Sequence, residues 1–219
     1  RRPPRSTLFP YTTLFRSRNI TKILVQKGNP VIDHKYWGTP EVQEEKEEGY
    51  RTKPVTYTPL DENGKEKSET THSQIYWSDD LPDGGGYADI AFEYAATLAS
   101  AYVNAKDGHF GEEATTDSKY DTYLETAEKL YAFGKKDNTP SKPQGENGCY
   151  NSGSCDDDEK WAATWLYLAT GEEAYNSSSS FGASYKGNYN ISWDSVENAA
   201  ALLYAGHVSK DRKSTRLNS

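Results

Sequence analysis

Residues 149–175 read C-Y-N-S-G-S-C-D-D-D-E-K-W-A-A-T-W-L-Y-L-A-T-G-E-E-A-Y and contain the clearest helix signal of the chain. The segment begins with small polar residues, continues with four acidic residues, and is then mostly apolar up to Gly171. Acidic side chains stabilise the start of a helix because they face the positive end of its dipole, and glycine commonly follows a helix end. Spacings of three and four residues predict one apolar face, formed by Trp161, Trp165, Leu168 and Ala169. The segment therefore predicts a buried amphipathic helix with an N-terminal loop that can hold a cation.

Three further segments show helical spacing, at residues 87–107, about 120–133 and about 194–205. Gly134 is predicted to end the second of them. Residues 19–86 are predicted to be mostly irregular: residues 20–26 are either a helix end or a strand, and residues 50–83 form a long functional loop. Four amphipathic helices with long aromatic loops and no clear strand pairs indicate an all-α fold. Because a closed bundle would have shorter loops, helical hairpins in a toroid fit better, with the long loops at one mouth.

The composition of the 219 residues limits the possible partners. The net charge of -8 and the pI near 5.1 argue against nucleic acid and anionic membranes as partners. The chain has no run of 18 apolar residues, so no membrane-spanning segment is predicted. Its 17 tyrosines and 5 tryptophans, many of them beside short polar residues, suit stacking on sugars, although core packing uses the same rings.

The positions of the cysteines and histidines give little evidence for a disulfide or a metal site. Cys149 and Cys155 lie in one loop, where a small disulfide and two free thiols are about equally compatible with the sequence. The four histidines show no metal-ligand spacing, and the chain has no zinc-type cysteine pair, no phosphate-binding glycine loop and no G-x-S-x-G nucleophile motif.

Both ends of the chain look foreign to the fold. Residues 1–18 are basic and lack acidic residues, so a transit peptide has to be considered, but P-P-R-S-T-L-F-P-Y-T-T-L-F-R-S looks like a translated sequencing adapter. Residues 213–219, K-S-T-R-L-N-S, resemble the matching adapter at the other end. We therefore predict artefactual tails at 1–18 and 213–219. The remaining residues, 19–212, are expected to be a fragment of a longer catalytic domain.

Four segments, in order, resemble glycoside hydrolase family 9, the inverting endoglucanases. Residues 149–175 resemble its D-E-L-x-W-A-A-x-W-L-Y-x-A-T-G segment, and G-N-P-V-I-D-H-K-Y-W-G-T-P-E at 28–41 resembles its G-D-P-x-x-D-H-x-Y-W-G-R-P-E loop. A-D-I-A-F-E-Y-A-A-T-L-A at 88–99 and I-S-W-D-S-V-E-N-A-A-A-L-L at 191–203 match two further segments. The resemblance implies an (α/α)6 barrel of twelve helices that hydrolyses β-1,4-glucan along an open cleft, and it implies a secreted protein.

The resemblance also implies substrate-binding residues. In the family, the His and Trp of the D-H-x-x-W loop line glucose subsites, and these positions are His34 and Trp37 here. A family tryptophan that precedes the S-W-D motif forms another sugar platform. Tyr189 occupies that position in this chain.

A structural calcium ion is the cofactor that the resemblance implies. Some family members hold it between the acidic loop and the S-W-D aspartate, which makes Asp156, Asp157 and Asp194 the candidate ligands. The family's D-E-L is D-D-E here, so that Asp158 takes the Glu position, and the preceding S-G fits only with a shift of one residue.

The catalytic motifs of the family are missing from residues 1–219. Inverting hydrolysis needs a carboxylic acid and a carboxylate about 6.5–9.5 Å apart. The family takes its base from a D-A-G-D or D-C-G-D motif and its acid from a Glu that follows N-P-x-x-x-S-Y, and neither motif occurs in this chain. We therefore assign no catalytic residue. Asp79-Asp80 and the acidic run at 156–159 suit solvated or cation-binding positions better than a catalytic pair, and His34 suits a sugar hydrogen bond better than a general base.

The sequence thus predicts a fragment of an inverting endo-β-1,4-glucanase that carries cleft residues but neither the acid nor the base, and that is inactive alone. The alternatives are a non-catalytic glycan-binding α-toroid and another (α/α)6 polysaccharide hydrolase. The expected partner is a β-1,4-glucan or cello-oligosaccharide.

Overall fold

The computed structural model describes residues 20–27, 54–57, 70–73, 75–78, 86–141, 152–176, 181, 191–192 and 194–217. The chain divides into two compact units. One consists of Arg1–Leu81 with Gln144–Asn147, and the other of Pro82–Pro143 with Gly148–Ser219.

The described part of the first unit contains two pairs of short antiparallel strands. Strand β1 (Leu24–Lys27) pairs with β4 (Ile75–Trp77), and β2 (Pro54–Tyr57) pairs with β3 (Thr70–Ser73). The strand alternative for residues 20–26 is therefore confirmed. The prediction of a loop without strands over residues 50–83 was wrong, because strands of three or four residues are too short to show alternation.

The second unit contains all the helices that the structure describes. They are α1 (Ala88–Lys106), α2 (Glu112–Thr115), α3 (Lys119–Asp137), α4 (Asp156–Thr170) and α5 (Glu197–Leu217), with a one-turn 3-10 helix at Glu173–Tyr175. Helix α1 contacts both α3 and α4, and α4 also contacts α5. The four predicted helices are confirmed. Within the described residues, no helix combines the length and apolar character that crossing a membrane requires.

Side-chain contacts fix the relative directions of the helices. Lys106 at the end of α1 forms an ion pair of 2.9 Å with Asp121 at the start of α3. Phe92, near the start of α1, contacts Tyr131 near the end of α3, so these two helices form an antiparallel hairpin. Lys160 lies 2.5 Å from Glu197, both near their helix starts, which places the starts of α4 and α5 together.

Two glycines show different roles at the helix ends. Gly171 ends α4 with a φ of 70°, as predicted. Gly134 does not end α3, which continues to Asp137 and ends at Asn138 with a φ of 52°. A Cβ atom at Gly134 would lie 2.7 Å from Cε1 of Phe92, so glycine is required there because the helix packs directly against that ring.

The most deeply buried face of α4 differs from the predicted one. Trp161 and Trp165 are only half-buried, with their ring centroids 5.6 Å apart in an edge-to-face arrangement. The fully buried positions are instead small or aliphatic, namely Ala162, Ala163, Thr164 and Leu166. Alanines also dominate the buried face of α1, and small side chains let the two helix backbones approach closely.

Candidate functional site

Five carboxylates gather where α1, α4 and α5 begin. Asp89 and Glu93 lie on the first turns of α1, Asp157 and Asp158 on the first turn of α4, and Asp194 shortly before α5. Asp158 is 9% exposed. Burial, and then the negative charges of Asp157, Glu93, Asp89 and Asp194 in that order, together raise its pKa from 3.8 to about 8. We call this group the acidic end.

Hydrogen bonds hold two of these carboxylates, and the environment of a third changes its pKa. Asp157 accepts a bond of 2.9 Å from the backbone N–H of Val196, which connects the start of α4 to the start of α5. Asp89 accepts bonds from the backbone N–H and the hydroxyl of Ser141. Glu93 has its pKa raised by burial and then by the charges of Asp89 and Asp157.

Glu159 fixes α4 against α3 beside the acidic end. Its carboxylate accepts a bond of 2.7 Å from Lys135 and one of 3.3 Å from the hydroxyl of Tyr131. Burial, followed by the charge of Glu159, raises the pKa of the Tyr131 phenol. The negative charge of Glu159 is therefore paired with Lys135. At Asp158, by contrast, burial and the neighbouring carboxylates all disfavour the ionised form.

The predicted calcium ligands are only partly gathered at this place. Asp157 and Asp194 both act electrostatically on Asp158, whereas Asp156 is exposed. Carboxylate oxygens are the ligands that calcium prefers. Within the part of the chain that the structure describes, however, no three His, Cys, Asp or Glu side chains form a group able to hold a metal ion. Binding would need these side chains to draw closer, and the calcium site stays a prediction.

The predicted substrate-binding residues His34, Trp37 and Tyr189 lie outside the described residues, as do Asp79 and Asp80. Their roles stay predictions.

Cys149 also lies outside the described residues, whereas Cys155 is a buried free cysteine. Its thiol donates to the carbonyl oxygen of Asn138 over 3.4 Å. Burial, and then the charge of Asp156, raise its pKa to about 11. The structure thus shows the free-thiol alternative for Cys155.

Sequence reasoning did not include Asp89 and Glu93 among its candidates, and it discussed Asp158 only as part of the acidic run at 156–159. Asp89 and Glu93 are four residues apart within A-D-I-A-F-E, a spacing that places both on one face of a helix. That spacing was the feature of the sequence that could have identified Asp89 and Glu93 as a pair. The approach of this face to the start of α4 depends on tertiary packing.

The family model of "Glycosyl hydrolase family 9" matches residues 12–218. The chain belongs to glycosyl hydrolase family 9. The fold of this family is an (α/α)6 barrel, so the predicted all-α class and the partial barrel are confirmed. The matched range also enters both predicted tails, and the division at 18 and 213 stays a prediction.

Several curated relatives of the chain are plant endoglucanases. Endoglucanase 24 of Oryza sativa subsp. japonica is 31% identical over 157 residues, covering 69% of this chain and 22% of the relative. Endoglucanase 10 of Arabidopsis thaliana is 28% identical over 183 residues, covering 82% of this chain and 28% of the relative. Among solved structures, the catalytic domain of Clostridium thermocellum CelT matches with a TM-score of 0.50 and 26% identity, over 86% of this chain and 32% of that chain. The chain therefore spans about a fifth to a third of the length of these three proteins.

Proposed function

We propose that this chain is an interior segment of a secreted inverting endo-β-1,4-glucanase, and that it supplies part of the substrate cleft. The match to the family model over residues 12–218 is the observation that carries this proposal. The relatives named endoglucanases support the reaction class.

The proposal assigns sugar contacts to His34, Trp37 and Tyr189. Aromatic rings stack on the apolar faces of sugars, and an imidazole can hydrogen-bond to their hydroxyl groups. Tyr189 lies shortly before Asp194 in the sequence, and Asp194 is part of the acidic end. A neutral sugar ligand also suits a chain with a net charge of -8.

We expect the 219-residue chain to release no sugar from carboxymethylcellulose, whereas the product of the extended gene does. The reason is that the chain lacks both carboxylate motifs. Reducing-sugar release by both proteins checks this. Turnover by the short chain would contradict the assignment of catalysis to residues outside it, and an extended protein that binds but never hydrolyses would favour the non-catalytic glycan-binding alternative.

We also expect the short chain to bind cellotetraose and Trp37→Ala to weaken this binding about tenfold, because a stacking platform contributes roughly 1–3 kcal/mol. NMR titration measures the dissociation constants. Trp77→Phe is the matched control, since it alters a half-buried tryptophan of β4 but keeps an aromatic ring. Equal weakening by both variants would argue against a specific role of Trp37.

The proposal includes a structural calcium ion at the acidic end, with Asp156, Asp157 and Asp194 as its ligands. The support is the concentration of carboxylates around Asp158, whose mutual repulsion a divalent cation would offset.

A further inference from the structure

Helices α1, α4 and α5 run in the same direction. Tyr131, near the end of α3, contacts Phe92 near the start of α1 and donates a bond to Glu159 at the start of α4. Helices α1 and α4 therefore begin side by side. The ion pair between Lys160 and Glu197 places the start of α5 beside the start of α4 in the same way. Because α4 packs against both α1 and α5, the three helices form a parallel row with α4 in the middle.

One face of α5 packs against α4. Ala200, Tyr204 and His207 are spaced four and three residues apart, so they share this face. Ala200 is fully buried, and the rings of Tyr204 and His207 both contact the ring of Tyr167 on α4. Leu202 lies two residues from Ala200 and two from Tyr204, a separation that places it on the opposite side of a helix.

The opposite side of α5 is apolar and exposed. Leu202 is 70% exposed, and Ala205 and Gly206 are exposed about one turn further along. We call these three residues the Leu202 face. A large side chain beside small ones is a surface into which the side chains of another helix can pack. Small residues form the contact between α1 and α4 in a similar manner.

We propose that the Leu202 face packs against an apolar helix from the part of the catalytic domain that lies outside these 219 residues. This inference rests on the proposed function, in which the chain is an interior segment. The chain spans about a fifth to a third of the length of the three proteins described above. An (α/α)6 barrel is a closed ring of helical hairpins, so a helix at the edge of a partial row gains a neighbour in the complete ring. The face of α5 turned away from α4 is where that neighbour would pack.

The test introduces Leu202→Lys into both the 219-residue chain and the product of the extended gene, and measures thermal unfolding. Leucine and lysine have similar helix propensities, so the melting temperature of the short chain should change by less than about 2 °C. In the extended protein the same substitution would remove an apolar contact and bury a charge. Its melting temperature should therefore fall by about 5 °C or more.

Thr122→Lys is the matched control. Thr122 is an exposed residue of α3, and its neighbours Asp121 and Glu125 are exposed and acidic, so this face of α3 suits solvent. The substitution should leave both melting temperatures nearly unchanged.

Gly206→Ala is a milder variant for the case in which the extended Leu202→Lys protein does not fold. Nothing lies within 4 Å of a Cβ atom added at Gly206, so alanine should raise the melting temperature of the short chain. In the extended protein the added methyl group would meet the packed helix, and the melting temperature should fall. The same substitution is thus expected to act with opposite sign in the two proteins.

An extended protein that hydrolyses carboxymethylcellulose, but whose melting temperature neither variant lowers, would overturn this contact and leave the proposed function intact. An extended protein that does not hydrolyse it would overturn the proposed function, whereas the melting temperatures would still decide the contact. A short chain that forms a dimer dissociated by Leu202→Lys, together with an unaffected extended protein, would assign the Leu202 face to a second copy and also overturn the inference. Size-exclusion chromatography of the short chain measures this last outcome.

Discussion

Phe92→Ala should lower the free energy of unfolding by about 3–5 kcal/mol, the range typical of a buried aromatic ring replaced by alanine. Phe92 is fully buried in α1. Its ring centroid lies 5.4 Å from that of Tyr131, and the ring also packs against the backbone of α3 at Gly134. Removing the ring would leave a cavity in the contact between α1 and α3. Urea unfolding followed by circular dichroism measures the change.

Gly134→Ala tests the same contact from α3 and should destabilise the chain by about 1–3 kcal/mol, because the added methyl group would overlap the Phe92 ring. Gly206→Ala is the matched control. This helical glycine of α5 has nothing within 4 Å of an added Cβ, so alanine should stabilise the chain by about 0.5–1 kcal/mol. If Gly134→Ala were as stabilising as Gly206→Ala, the described packing of Phe92 would be incorrect.

Without calcium, the chain should lose stability as the pH rises from about 4 to about 8. Asp158 has a pKa near 8 in the folded state and an ordinary value of 3.8, so the folded state binds the proton more tightly than the unfolded state does. The contribution of protonated Asp158 to the free energy of unfolding is therefore fully present below pH 3.8 and is lost as the pH rises through 8. Because solvent still reaches part of the group, we expect a loss of only about 1–3 kcal/mol. Thermal unfolding in a chelator between pH 4.5 and 8.5 measures it.

Asp158→Asn should remove most of this pH dependence and raise the melting temperature at pH 8, since the amide carries no charge to repel Asp157. Asp117→Asn, at an exposed ion pair with Lys119, is the control and should leave the slope unchanged. A wild-type chain whose stability stayed flat or rose over this range would show that the carboxylates are not crowded as described.

Saturating calcium should reverse the loss of stability with rising pH. It should stabilise the wild-type chain most at high pH, because a bound cation favours ionised carboxylates. Asp157→Asn should reduce this gain. A melting temperature that did not respond to calcium at any pH would argue against the proposed ion but would leave the role of Asp158 intact.

The sequence predicted the features that depend on neighbouring residues. Helical spacing located α1, α3, α4 and α5, and the glycine after an apolar run correctly indicated the end of α4 at Gly171. The same rule failed at Gly134 because the requirement for glycine comes from Phe92 on another helix. Spacing did not identify the most deeply buried side of α4, which Ala162, Ala163 and Leu166 occupy rather than Trp161 and Trp165.

The acidic end was predicted only in part, because it also depends on contacts between helices. Asp157 and Asp194 were recognised through family motifs, whereas the approach of Asp89 and Glu93 follows from the packing of α1 against α4. The strands at Pro54–Tyr57, Thr70–Ser73 and Ile75–Trp77 were missed because each is too brief to show a period.

The arrangement of helix starts has a consequence for engineering. The connection from α3 to α4 leaves one helix end and reaches Asp156 through residues 138–155, whereas α4 passes into the 3-10 helix at Glu173 almost directly. The connection from α1 to α3 is exposed over residues 109–113, so changes there need not disturb helix packing. A library built at these positions, with the buried Ala114 retained, would explore new recognition properties on an unchanged scaffold.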